Sequence, residues 1–222
     1  MSCRSPEPVA NVTMMCIDGR VRPAPQRERI PHMNTKINPK TSAVLVIDEL
    51  VTKGVDTLYN PDPEEDRVVR NSMKVVDAAR AAGMPVIFSC DQHIPGLDRE
   101  LKLWGEHGIK DVAVANPLLK PGASDRDFII PKRRYSGFFQ TDLDLTLREL
   151  GVTTLVAVGE DTNICVLHTL ADAYFLGYET VVVEDCTRTF LCGTQEAGIE
   201  HFVKCYDSRI TTADQVVAEL GE

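Results

Sequence analysis

Thr154-Leu155-Val156-Ala157-Val158-Gly159-Glu160-Asp161-Thr162-Asn163-Ile164-Cys165-Val166-Leu167-His168 decides how the chain is read. The apolar run from 154 to 158 has the character of a buried strand. Gly159 leads a tight turn, and a helical pattern then starts within a few residues of Cys165. A thiol so placed sits near the positive end of a helix dipole, where the thiolate is favoured. Backbone N–H groups left free at a helix start can receive an oxyanion. Cys165 is therefore a candidate nucleophile. The other reading is an apolar cysteine packing a helix against a sheet. The stretch alone leaves both open.

The same pattern recurs on either side. Ala43-Val44-Leu45-Val46-Ile47 is a continuous apolar run ending in Asp48, the mark of a strand buried on both faces. Residues 64–82 carry Val68, Val69, Val75, Val76, Ala79 and Ala82 at helical spacing, stopped by Gly83 and Pro85. Val86-Ile87-Phe88 predicts a second strand running into Asp91 and His93, and 128–132 a third. A short helix is expected around 99–107, and others over 143–150, 163–176, 196–203 and 212–220. The last opens with Thr212 as a cap. Residues 180–183 supply a fifth strand. Helix, glycine, short link and β-branched strand recur at Gly83, Gly151 and Gly177. This alternation predicts an α/β fold, a three-layer α/β/α arrangement about a mostly parallel sheet.

Composition narrows the classes. With 222 residues, 43% hydrophobic and 26% charged, the chain suits one ordinary globular domain. No apolar run reaches the roughly 18–20 residues of a membrane span. A net charge of −9 argues against nucleic acid and anionic membrane as partners. Seven scattered cysteines, an odd number, indicate reduced thiols in a cytoplasmic setting. Residues 1–40 differ in kind, with seven Lys/Arg, three Asp/Glu and six prolines, a net +4 that leaves −13 for 41–222. They are expected to form a poorly ordered or surface-draped extension before a single domain over 41–222.

Ligands in open α/β sheets bind beyond the carboxyl ends of the strands, and Asp48, Asp91 with His93, Lys132 and Cys165 all fall at such ends. Together they supply the parts of thiol-based acyl transfer. A carboxylate takes the thiol proton and returns it to a leaving amine, and an ammonium stabilises the thiolate and keeps the carboxylate ionised. Asp91 and His93 share one face of an extended segment, and Glu100 and His107 share one face of a helix. Such carboxylate and imidazole ligands suit Zn²⁺, with Fe²⁺ or Mn²⁺ as alternatives. Against this stands a reading of His107 as a helix-end cation and Glu100 as a solvated residue. His168, three residues after Cys165, has a structural partner within reach in Asp172.

These residues lie in segments that resemble the isochorismatase-like cysteine hydrolases, a family that includes nicotinamidases and N-carbamoylsarcosine amidases. The matching pieces are Val44-Leu45-Val46-Ile47-Asp48, Asp91-Gln92-His93, Leu103-Trp104-Gly105-Glu106-His107, Lys132 with 135–144, and Gly159 through Thr169. The resemblance implies a catalytic triad of Asp48, Lys132 and Cys165. It implies an oxyanion hole from the N–H groups of Asp161 and Cys165, with a cis peptide between Glu160 and Asp161. It implies a divalent metal held by Asp91, His93, Glu100 and His107. Trp104, Tyr135 and Phe138 become candidates for the substrate pocket. Asp161 stands where nicotinamidases usually carry a small neutral residue. Isochorismatases proper lack the nucleophilic cysteine, so Cys165 counts against that activity.

The expected function is a cysteine-dependent amidohydrolase that cleaves a small carboxamide or ureido compound to an acid and ammonia through a thioester. The partner is a small-molecule amide, and a homo-oligomer is implied by the family. A redox thiol protein and a non-catalytic small-molecule-binding protein on the same fold are the alternatives. The first needs a resolving cysteine, and the second requires that Asp48, Lys132 and Cys165 fail to converge.

Overall fold

The computed structural model describes residues 35–52 and 63–221. The expectation for the N-terminal extension lies outside the described residues as far as residue 34. Ile37 already packs in the core, and its N–H donates to Glu219 Oε1 at 2.8 Å.

The elements in chain order are β1 (Ser42–Ile47), β2 (Leu50–Thr52), α1 (Pro63–Ala81), β3 (Val86–Asp91), α2 (Glu100–Trp104), β4 (Ala113–Ala115) and β5 (Asp127–Lys132). Then follow α3 (Leu143–Glu149), β6 (Thr154–Glu160), α4 (Leu167–Phe175), β7 (Glu179–Arg188), α5 (Gln195–Tyr206), β8 (Arg209–Thr211) and α6 (Ala213–Leu220). Six strands form one parallel sheet in the order β5-β3-β1-β6-β7-β8. The strands expected from the apolar runs are all present. β8 was not anticipated, because three residues are too few to show a period. β7 runs on past the expected 180–183 into polar sequence, where its pairing with β6 also shifts register between Ala157 and Gly159. β2 and β4 form a separate antiparallel ribbon.

Alternation along the strands sorts the core into two layers. Val44, Val46, Val86, Phe88, Val156, Val158, Val181 and Val183 point to α1 and α6, meeting Val75, Val76, Ala79 and Val216. Ala43, Leu45, Ile47, Ile87, Leu155, Ala157 and Val182 point the other way, to Leu143, Leu147, Leu170, Ala173 and Phe202 of α3, α4 and α5. The architecture is the three-layer α/β/α one. Among the described residues no helix is long and apolar enough to cross a membrane.

The chain steps outward from β1 to β3 and β5, then returns to β6 beside β1 and steps the other way. The direction of winding therefore reverses at the β1–β6 boundary, which opens a crevice beyond the strand ends. Gly159 fits there because its φ is +120° and because a Cβ would collide with the Ile47 carbonyl of the neighbouring strand.

Just past β1 the chain buries Glu49, whose carboxyl accepts from the Ser72 hydroxyl at 2.5 Å. Burial first, then the nearby Glu160 carboxylate, push its pKa from an ordinary 4.5 up to about 8, against the Ser72 hydrogen bond and Arg188. The folded state thus holds this proton more tightly than the unfolded chain. Its contribution is complete below the unfolded value and is lost as pH climbs towards 8. Replacing Glu49 by Gln should flatten this dependence. In thermal unfolding followed from pH 5 to pH 9, the wild type should lose at least ~3 °C more than the variant.

Candidate active site

Four strand ends build the site. β1 delivers Asp48, at a φ of +53° that asparagine and aspartate tolerate better than most residues. Its Oδ1 accepts the Asp91 N–H at 2.8 Å, so the ends of β1 and β3 are tied together. β5 delivers Lys132, which is fully buried. Its ammonium lies 2.6 Å from Asp48 Oδ2, 2.5 Å from Asp91 Oδ1 and 3.6 Å from Cys165 Sγ, and donates to the Arg134 carbonyl at 3.1 Å. Cys165 follows β6 in a π-helical turn, Thr162–Val166, that leads into α4. One carboxylate oxygen each from Asp48 and Asp91 and the Cys165 sulfur lie within 4.8 Å of one another. The peptide between Glu160 and Asp161 is cis.

The electrostatics depart from the helix-start expectation. Burial raises the Cys165 thiol well above its ordinary value, Lys132 lowers it, and the Asp48 and Asp91 carboxylates raise it again. Burial first, and then the two carboxylates that hold the ammonium, therefore favour the thiol over the thiolate. Burial and Asp91 lift Asp48 to about 6 in spite of Lys132. For Asp91, burial is outweighed by Lys132 and His93, which hold it down to about 2. Burial opposes the charge on Lys132, but Asp48 and Asp91 keep it firmly protonated.

Next to this cluster stand the four residues expected to hold metal. His93 is fully buried, with Nε2 3.4 Å from Asp91 Oδ2 and 3.7 Å from Glu100 Oε2, and neither ring nitrogen has a hydrogen-bond partner. His107 stacks edge-on against it with centroids 4.8 Å apart. The His107 Nδ1 contacts the Gly105 carbonyl at 2.9 Å, leaving Nε2 for other use. Backbone pairing makes this meeting possible. The His93 N–H donates to Gly108 O at 2.7 Å and the Lys110 N–H to His93 O at 2.9 Å, while at Gly108 a Cβ would collide with Asp91. A buried imidazole with both nitrogens unpartnered, facing two carboxylates and a second imidazole, fits a divalent cation. Behind it, buried Asp98 is held by Arg133 at 2.6 Å and lies 3.8 Å from His93 Nδ1.

A cavity of about 430 Å³ opens over Asp48, Asp91, Glu100, His107 and Cys165. Trp104 and Tyr135 line it, joined by a 2.8 Å hydrogen bond from the indole to the phenol. Phe138 does not line it: within the turn closed by the Phe139 N–H to Ser136 O bond, the ring packs against the core beside Tyr178, centroids 5.7 Å apart. His168 contacts the Ile164 carbonyl at 2.7 Å, and Asp172 takes the Ser136 hydroxyl instead. The cavity wall also includes Leu50, Val51, Ala113, Ile164, Phe190 and Leu191, none of which was expected. The ribbon residues gave no signal. Phe190 and Leu191 lie just beyond β7, where the strand-end rule would have found them had the full length of β7 been legible.

Residues 42–215 match the model of the isochorismatase domain. The chain belongs to this family. This isochorismatase-domain protein is 34% identical over 181 residues to the ureidoacrylate amidohydrolase RutB of Agrobacterium fabrum, an alignment covering 68% of this chain and 78% of that one. Among solved structures it is similar to the N-carbamoylsarcosine amidase of Thermoplasma acidophilum, with 32% identity, a TM-score of 0.69, and 78% and 97% of the two chains covered. It is also similar to the pyrazinamidase/nicotinamidase of Streptococcus mutans UA159, with 31% identity, a TM-score of 0.67, and 77% and 99% covered.

Asp48 and Asp91 share the Lys132 ammonium, while Asp91 also has His93 beside it. Lys132→Met should therefore leave Asp48 uncompensated and destabilise the fold by ~3–5 kcal/mol, roughly 10 °C in Tm by calorimetry at neutral pH.

Proposed function

We propose that this family member is a cysteine-dependent amidohydrolase that cleaves a small carboxamide or ureido compound to an acid and ammonia. The observation that carries the reading is the convergence of Lys132 on Asp48 and Cys165, the latter two lining one cavity. That convergence also counts against the non-catalytic binding alternative. Three relatives that act on amide or ureido groups support the substrate class.

In this reaction the Asp48 carboxylate accepts the Cys165 proton as the sulfur attacks the amide carbon. The electron pair moves onto the amide oxygen, which is received by the N–H groups of Asp161 and Cys165. Collapse of the tetrahedral adduct breaks the C–N bond, and Asp48 returns its proton to the departing ammonia. Water, deprotonated by the same carboxylate, then hydrolyses the thioester and frees the acid and the thiol. Lys132 keeps Asp48 ionised and offsets the charge that passes to sulfur. Starting from thiol and carboxylate avoids holding two negative charges beside Asp91 before the substrate arrives.

Asp91, His93, Glu100 and His107 are the residues that would hold a divalent ion, Zn²⁺ first by donor chemistry and Fe²⁺ or Mn²⁺ next. Such an ion would supply a Lewis-acidic anchor for a ring nitrogen or carboxylate of the substrate. The reduced thiols Cys90, Cys165, Cys186, Cys192 and Cys205 fit a cytoplasmic setting. Exposed Tyr174, Phe175 and Leu176 at the end of α4 fit a homo-oligomer.

Ammonia release from nicotinamide, pyrazinamide, N-carbamoylsarcosine, ureidoacrylate and biuret tests the reading. At least one should be turned over, and Cys165→Ala should lower kcat by ~10⁴-fold or more without changing Tm. Retained turnover in that variant would sink the mechanism. Elemental analysis of the purified protein should find about one divalent ion per chain, lost in His93→Ala. A metal-free, fully active wild type would remove the metal from the scheme.

A further inference from the structure

The Asp161 carboxylate makes contacts that the reaction does not require. Its Oδ1 accepts the Asn163 N–H at 2.8 Å and the Thr189 hydroxyl at 2.9 Å. Its Oδ2 accepts the N–H groups of Phe190 at 2.8 Å and Leu191 at 2.9 Å. The neighbouring Asn163 amide reaches the same loop, with Nδ2 at 2.6 Å from Cys192 O and 3.1 Å from Thr194 O. Asn163 comes this close because residue 198 of α5 is glycine, where a Cβ would collide with its side-chain oxygen.

The loop so held connects β7 to α5 and carries Phe190 and Leu191, which line the cavity above Cys165. These two side chains are 53% and 48% exposed. With that much exposed, and with the Arg188 guanidinium 5.8 Å from the Phe190 ring centroid, their position depends largely on their backbone amides. Asp161 itself is 4% exposed, and its carboxylate accepts four hydrogen bonds from protein donors, two per oxygen. Hydrogen bonds to a carboxylate are shorter and stronger than neutral ones, and four on one group make a rigid anchor.

We propose that the Asp161 side chain is a positioning residue that holds Phe190 and Leu191 over the cavity and so sets how tightly the body of the substrate is gripped. Its backbone N–H serves the reaction while its carboxylate serves the pocket wall. The effect on substrate rests on the amidohydrolase reading above; the anchoring of the loop does not.

Two substitutions separate the roles. Asp161→Ser keeps an oxygen for the Asn163 N–H, as serine does at helix starts, but is too short to reach Phe190 and Leu191. Asp161→Asn keeps an oxygen for those two amides and gives up the Asn163 N–H bond, while the Thr189 hydroxyl can turn to accept from its NH₂. In the serine variant, amide exchange at Phe190 and Leu191 should accelerate by about 10-fold or more. KM for the best amide of the panel should rise by roughly 5- to 20-fold, a larger factor than any fall in kcat, and the asparagine variant should recover most of that loss. Unchanged exchange in Asp161→Ser overturns the anchor, and a fall in kcat at constant KM overturns the positioning role. If wild type cleaves none of the amides, the amidohydrolase reading fails. Exchange then decides the anchor, and Cys165 labelling, followed by peptide mass, decides the grip. Loop release should favour N-phenylmaleimide over iodoacetamide, and an unchanged ratio overturns it.

Discussion

One buried ammonium holds the site together. Lys132 stands fully buried between the Asp48 and Asp91 carboxylates, 2.6 and 2.5 Å from their oxygens. A charge in such a place is tolerated only when it is paired and hydrogen-bonded, and removing either sign strands the other. Here the pairing spans three adjacent strands, so an interaction that the proposed reaction uses also clamps the carboxyl ends of β5, β3 and β1. Burial, and then the same pairing, favour the protonated thiol. The positive charge is already shared by two carboxylates, and what remains of their field disfavours a third anion.

The arrangement follows from the winding of the sheet. Each strand that feeds the site ends on the side where the chain reverses, and each ends in a residue that no apolar run would include. Asp48, Asp91 and Lys132 close three hydrophobic stretches, and Glu160 and Asp161 close the fourth. Burial on both faces of the sheet supplies the dry surroundings that shift these groups. The antiparallel ribbon of β2 and β4, with Phe190 and Leu191 opposite, completes an apolar wall around a charged floor.

How legible this was depended on how local the cause was. Strands β1, β3, β5 and β6 could be read because they are buried on both faces and their apolar runs are unbroken. Asp48 and Lys132 could be singled out because they close those runs, and Cys165 because a helix starts beside it after β6; their grouping as a triad is what the family resemblance implied. β7 could be read only in part, since Glu184 to Arg188 are polar and their pairing follows a shift in register. The partner of His168 was misjudged for a related reason: Asp172 lay at the right helical spacing, but Ser136, distant in sequence, occupies it. Phe138 sits in a motif beside Tyr135, yet only Tyr135 faces the cavity, because a tight turn between them redirects the chain. The thiol's protonation was also beyond the sequence. The helix start argues for a thiolate, whereas depth and two carboxylates, which are matters of three-dimensional proximity, argue against it and prevail.

The sheet ends at β5 on one side and β8 on the other. β5 carries Pro131, which has no N–H to offer a further strand, and β8 is only three residues long. Both borders are therefore poor templates for strand addition, which is how soluble sheets resist edge-to-edge aggregation. Lys132, adjacent to that proline, thus lies on a border that cannot readily be extended by another chain. Among the described residues, neither border thus invites a further strand beside the strand ends that line the cavity.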